Sequence, residues 1–228
     1  MLPPIDSLSG VEVNQLLISF MGRKTSAAYN VVVGVMNDPS VPSTFEPLDT
    51  VSPEATSTWE LFEIPLSNYE GTGRYITFRC GSGTATNGFY IDNVTVDYIP
   101  TCFRPTNVTI THISQEEAAV SWDANGNEST WLLNYKADGD EEWTEVPSLT
   151  ENTYTLTNLT ANTSYQVKVR ALCVDGQESE FSVEKSFTTL CEPMEELPFT
   201  ENFDSYASGA GNFPNCWIRK TNSTTNYP

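Results

Sequence analysis

Apolar and polar residues alternate with a period of two along much of the chain, as where Tyr75, Thr77 and Arg79 fall on one side and Ile76, Phe78 and Cys80 on the other. Such runs are short and rich in β-branched and aromatic residues. Turn-forming clusters separate them, for example Asn37-Asp-Pro-Ser-Val-Pro and Ser67-Asn-Tyr-Glu-Gly-Thr-Gly. Helical periodicity is nearly absent, so the pattern predicts an all-β protein whose strands pack one face and wet the other. Before residue 100 the expected strands are 15–21, 29–36, 58–66, 74–79 and 88–98. After Pro105 the rhythm shortens, with strands expected at 108–112, 118–122, 131–135, 143–146, 154–156, 165–171 and 186–189. Seven strands in that length are what an immunoglobulin-like sandwich requires. The stretch Leu159-Thr-Ala-Asn-Thr-Ser-Tyr165 has the spacing of a tyrosine corner, in which a phenol satisfies backbone groups at a turn.

Charge narrows the partners. The chain has 11 basic against 30 acidic residues, a net charge of −19, and no Lys or Arg lies between Lys24 and Arg74. A nucleic-acid binder needs a basic face to displace phosphate counterions, so nucleic acid is excluded as an expected partner. No apolar run approaches the roughly 20 residues of a membrane helix, so no membrane insertion is expected of this segment.

Five dispersed cysteines, Cys80, Cys102, Cys173, Cys191 and Cys216, and the single His112 argue against zinc, which needs clustered ligands. Dispersed cysteines fit an oxidising compartment, so the expected location is extracellular or at the cell surface, with any leader upstream. Every imidazole-based triad would have to use His112, which sits in a strand with no nucleophile motif nearby; no enzyme is expected. The acidic stretch Asp138-Gly-Asp-Glu-Glu142 lacks the spacing of a calcium loop and reads as a solvated turn.

Residues 103–190 resemble a fibronectin type III domain, with Trp122 as the strand B core tryptophan and Leu159 and Tyr165 marking the corner; Ala161 stands where the family often has proline. On that resemblance Cys102 precedes the first strand and Cys173 ends the sixth, so the two should approach at one pole. Cys191 and Cys216 form the second expected pair, leaving Cys80 over, although five cysteines admit other pairings.

Residues 1–99 are similar to the C-terminal part of the jelly-roll domains of cleaved-adhesin and MAM-like surface proteins of Bacteroidota, related to carbohydrate-binding modules. The Trp59-Glu-Leu-Phe-Glu-Ile-Pro-Leu run and the Ile91-Asp-Asn-Val element carry this likeness. Residues 191–228, with Leu197-Pro-Phe-Thr-Glu-Asn-Phe-Asp204, are similar to the opening of a second such jelly roll, so the chain reads as a window on a tandem array. The resemblance implies a structural Ca²⁺ held by Asp92 and Glu201, with Asn93 in place of a frequent second acid. It implies a non-catalytic adhesion region in which jelly rolls contact glycan or matrix protein and the fibronectin-type module is a spacer. A structural stalk of a larger secreted hydrolase is the alternative. Exposed aromatics suited to stacking on sugar would come from Tyr69, Trp131, Trp143 and Trp217. The linker 190–196 reaches at most about 25 Å, which makes closure of the two partial jelly rolls within one chain strained and leaves strand exchange between copies.

Overall fold

The computed structural model describes residues 1–5, 10–26, 29–82, 88–204, 206 and 216–217. It is all-β, as the alternation predicts, and divides into two compact units, Met1–Thr101 and Cys102–Pro228.

In unit 1, β1 (Leu16–Lys24), β4 (Glu60–Pro65) and β6 (Phe89–Tyr98) form one antiparallel sheet in the order β4-β1-β6. The second sheet orders β3 (Phe45–Val51), β2 (Asn30–Met36) and β5 (Tyr75–Ser82) as β3-β2-β5. Strand β1 alternates buried and half-buried residues along its whole length, which puts Leu16, Ile18 and Phe20 inside. Phe20 meets Phe78 of the other sheet edge-on, with ring centroids 5.0 Å apart, and lies 5.5 Å from Phe62. At Gly22 a Cβ would come within 2.7 Å of the Phe62 ring and 2.9 Å of Phe89, so only glycine lets both rings pack across β1.

Strand β3 is absent from the sequence expectation because Pro47 and Asp49 break its pattern. It forms on a sheet edge, where a proline costs no shared ladder bond, and the register slips opposite Val33 and Gly34. Strand β2 between its two neighbours is buried on both faces. Phe45 lies over Gly34 on the outer side, and Arg79 stacks on that ring at 4.2 Å.

Unit 2 contains the seven expected strands. They are β7 (Thr106–Thr111), β8 (Ala118–Asp123), β9 (Trp131–Ala137), β10 (Thr144–Leu149), β11 (Thr153–Leu156), β12 (Ser164–Ala171) and β13 (Lys185–Thr188). They form the sheets β11-β8-β7 and β10-β9-β12-β13. Trp122 and Trp131 meet edge-on at 5.9 Å in the core, with Leu133, Leu156, Val167 and Val169 around them. The Thr160 N–H donates to the Tyr165 hydroxyl at 2.8 Å, closing the corner, and Leu159 is buried below it.

Two hydroxyls therefore have measurable weight. Tyr165→Phe removes the acceptor of a part-buried N–H and should lower unit 2 stability by about 1 kcal/mol or more, read as a lower urea midpoint. Tyr69 accepts the Gly73 N–H at 2.6 Å, and its burial, reinforced by Glu46 and partly offset by that bond, holds the phenol above its ordinary value of 10.0. The unfolded chain then ionises first, so this contribution is full below pH 10 and is lost as pH climbs through the native value. Denaturation midpoints between about pH 9 and 11.5 should fall less steeply for Tyr69→Phe than for the parent protein.

Candidate functional site

Cross-strand register builds one candidate site on the outer face of the β4-β1-β6 sheet. Arg23 of β1 pairs directly with Tyr90 of β6, and because Gly22 pairs with Glu60 of β4, Trp59 just ahead of that strand lies on the other flank of Arg23. The guanidinium carbon is 5.1 Å from the Trp59 ring centre and 4.9 Å from the Tyr90 ring centre, so the cation sits between two aromatic walls. Both rings are open to solvent, Trp59 at 40% and Tyr90 at 47% exposure. Among the described residues Arg23 has no ion pair, and its Nε is buried without a hydrogen-bond partner. A lone guanidinium flanked by rings, in a chain with 30 carboxylates, is shaped to receive a carboxylate attached to an apolar ring face.

Parity along the strands could have flagged these residues. Trp59, Leu61 and Glu63 share the side opposite Phe62 and Ile64, and Tyr90 and Asp92 lie opposite Phe89 and Ile91. Which outward residues become neighbours depends on strand pairing, which the alternation does not specify.

The four aromatics suited to stacking on sugar lie in different settings. Trp131 is in the unit 2 core and Tyr69 in the unit 1 core. Trp143 is half-buried with Lys168 Nζ 3.9 Å from its ring centre and Lys136 Nζ at 5.1 Å. Trp217 is exposed and meets Phe203 edge-on at 5.1 Å.

Asp92 is exposed on the outer face and accepts the Asn93 N–H at 2.8 Å. Glu201 accepts the Phe203 N–H at 2.8 Å in the C-terminal segment. Among the described residues no group of three or more His, Cys, Asp or Glu side chains is gathered to hold a metal ion. His112 is exposed beside the Thr111 hydroxyl, 3.1 Å away. The stretch Asp138–Glu142 forms the turn between β9 and β10, with Gly139 at φ 94° and the Asp140 carbonyl accepting from Lys136. Cys102 is bonded to Cys173 and Cys191 to Cys216, while Cys80 stands outside both disulfides.

Comparison with known proteins bears on unit 2. The fibronectin type III domain model matches residues 103–187. Residues 103–187 form a fibronectin type III domain. Similar solved structures include one described as "Myokine structure", 26% identical over 40% of this chain and 99% of that one, with a TM-score of 0.36. The FN3 domain of human collagen XX is 22% identical over 40% and 95% of the respective chains, with a TM-score of 0.36. The FN5 domain of Drosophila Lar is 19% identical over 40% and 100%, with a TM-score of 0.35. No curated protein matches the chain.

The outer face of the fibronectin type III domain carries its own cation–aromatic stack, and it is closed. Lys168 lies between Trp143 and Phe181, Arg170 is 3.8 Å from the Phe181 ring centre, and the two cations pair with Glu184 and Glu178. Both cations there have a carboxylate partner as well as a ring.

The Cys102–Cys173 bond ties the chain just ahead of β7 to the segment after β12, across 71 residues, and Cys102 is part of the buried core. Replacing both cysteines with serine should cost the fibronectin type III domain about 2–4 kcal/mol by freeing the unfolded chain. Calorimetry of that variant should show a lower melting temperature for unit 2.

Proposed function

We propose that this chain is a non-catalytic extracellular binding region whose unit 1 recognises a glycan bearing a carboxylate. The fibronectin type III domain acts as its spacer. The observation that carries this reading is the Arg23 guanidinium, without an ion pair among the described residues, held between the exposed rings of Trp59 and Tyr90. Aromatic walls offer the apolar C–H faces of a sugar ring a stacking surface, and the guanidinium offers the acid group a charge-assisted pair of hydrogen bonds. Such recognition needs no catalytic pair, only a rigid platform, which the central strand β1 supplies by anchoring Phe20 in the core three residues from Arg23.

The spacer role rests on a contrast. In the fibronectin type III domain the corresponding cations are already paired with Glu184 and Glu178, and their aromatic partners are covered by them. Two disulfides support the oxidising, extracellular setting.

A glycan array that includes uronic- and sialic-acid-bearing oligosaccharides tests the proposal with the full chain. The expected result is saturable binding of acidic glycans that weakens at least about tenfold in both Trp59→Ala and Arg23→Ala, a loss of about 1.4 kcal/mol or more. Thermal melting controls for intact folding, since both side chains lie on the outer face. Flat signals across the panel, or binding indifferent to both substitutions, would overturn it.

A further inference from the structure

The row formed by Trp59, Arg23 and Tyr90 has a second row beside it on the same outer face. Met21, two residues before Arg23 on β1, pairs with Leu61 of β4 on one flank and with Asp92 of β6 on the other. Met21 and Leu61 are half-buried, and Asp92 is exposed. The two rows lie about 7 Å apart along the strands, two residues at the rise of a sheet. An apolar floor with a carboxylate at its β6 rim therefore adjoins the guanidinium and its rings.

The backbone holds Asp92 in place. Regular pairing of β6 with β1 stops just after the Met21–Asp92 pair, at a bulge, and resumes where Ser19 meets Thr95. Asn93 opens the bulge at φ 50°, a left-handed value that asparagine adopts more readily than most residues. Its N–H donates to Asp92 Oδ1 at 2.8 Å. A carboxylate has about four acceptor sites, so this bond orients the group and leaves further sites for a ligand. Bulges re-aim side chains in this way beside functional sites.

Arg23 and Asp92 are diagonal neighbours across β1 and β6, about 7–8 Å apart and within reach of a long side chain. Even so, no ion pair among the described residues involves either of them. The guanidinium lies between the Trp59 and Tyr90 rings instead. A positive and a negative group thus stand side by side, each with capacity for a ligand group of its own.

We propose that Asp92 sets the specificity of this platform, an inference that rests on reading unit 1 as a receptor for acidic glycans. The site takes an acidic sugar that carries one carboxylate and, across the ring from it, an N-acetylated amine. The acid group pairs with Arg23, and the amide N–H donates to Asp92. In a trans secondary amide the acetyl methyl lies on the same side as the N–H, so the methyl falls on the floor made by Met21 and Leu61. Methionine adapts readily to such a group. The Asp92 carboxylate also works against a second anion on the sugar. A sulfate placed where the amide belongs would face Asp92 with no cation to offset it, and a built-in repulsion of this kind excludes close relatives of a ligand. The chain's net charge of −19 reinforces that exclusion.

Titration calorimetry of the full chain, in EDTA so that the carboxylate acts on the sugar directly, compares three probes. They are N-acetylneuraminyl-lactose, the same trisaccharide with a hydroxyl in place of the acetamido group, and a sulfated uronic-acid disaccharide. The parent protein should bind the acetamido sugar at least about fivefold more tightly than the hydroxyl analogue, because only the amide satisfies Asp92 and the apolar floor together. Asp92→Ala should bring those two affinities within about twofold of each other by weakening the acetamido sugar alone. Asp92→Asn keeps a carbonyl acceptor and loses the charge. It should retain the acetamido preference and bind the sulfated disaccharide at least about fivefold more tightly than the parent does. Unchanged melting temperatures are expected for both variants, since Asp92 is exposed. Equal affinity of the parent for the first two probes overturns the proposal, as does a preference for the sulfated disaccharide or an acetamido preference that survives Asp92→Ala. In those cases binding that still depends on Arg23 leaves the platform itself standing, whereas failure of every acidic probe to bind overturns both.

Discussion

Strand parity is the constraint on which this molecule rests. In an antiparallel sheet each side chain is committed to one face by its position, and moving one residue along the strand reverses every commitment. Along β1 parity sends Leu16, Ile18 and Phe20 into the core while Arg23 stays outside. Along β12 it sends Tyr165, Val167, Val169 and Ala171 inside and leaves Lys168 and Arg170 out. Both cores and both outer cation–aromatic stacks follow from the same alternation.

What separates the two units is how those outer faces are finished. On the fibronectin type III domain each cation has a carboxylate as well as a ring, so the charge is neutralised locally. On unit 1, Arg79 lies on Phe45 over the one glycine of β2, which makes a cover for a strand buried on both faces. Arg23 alone combines exposed rings with a guanidinium lacking an ion pair among the described residues. The same pairing of residue types thus serves as packing in two places and as an available recognition surface in the third.

Sheet edges are finished differently as well. In unit 2 the Leu159 N–H to Glu116 carbonyl bond and the Leu190 N–H to Ser114 carbonyl bond tie loops across the ends of strands, and the tyrosine corner satisfies the backbone at a turn. In unit 1 the edge of β3 is shortened by Pro47 and a register slip, which discourages further pairing. The edge of β6 carries a bulge between Asp92 and Thr95.

The fold class was legible in the chain because a two-residue period reports burial directly, and all seven strands of the fibronectin type III domain could be read from it. Trp122, Leu159 and Tyr165 were legible for the same reason: a buried indole and a corner phenol need particular local spacing. Strand β3 was not, since Pro47 and Asp49 are tolerated only because that strand is an edge, and edge position is a property of the sheet. The Trp59–Arg23–Tyr90 platform lies further from the sequence still, as its members are brought together by the pairing of β1 with β4 and β6. The sequence by itself determined which residues point inward and which outward, because that is set one peptide at a time. Only the tertiary structure decided which outward residues meet, because that depends on hydrogen bonds between strands far apart in the chain.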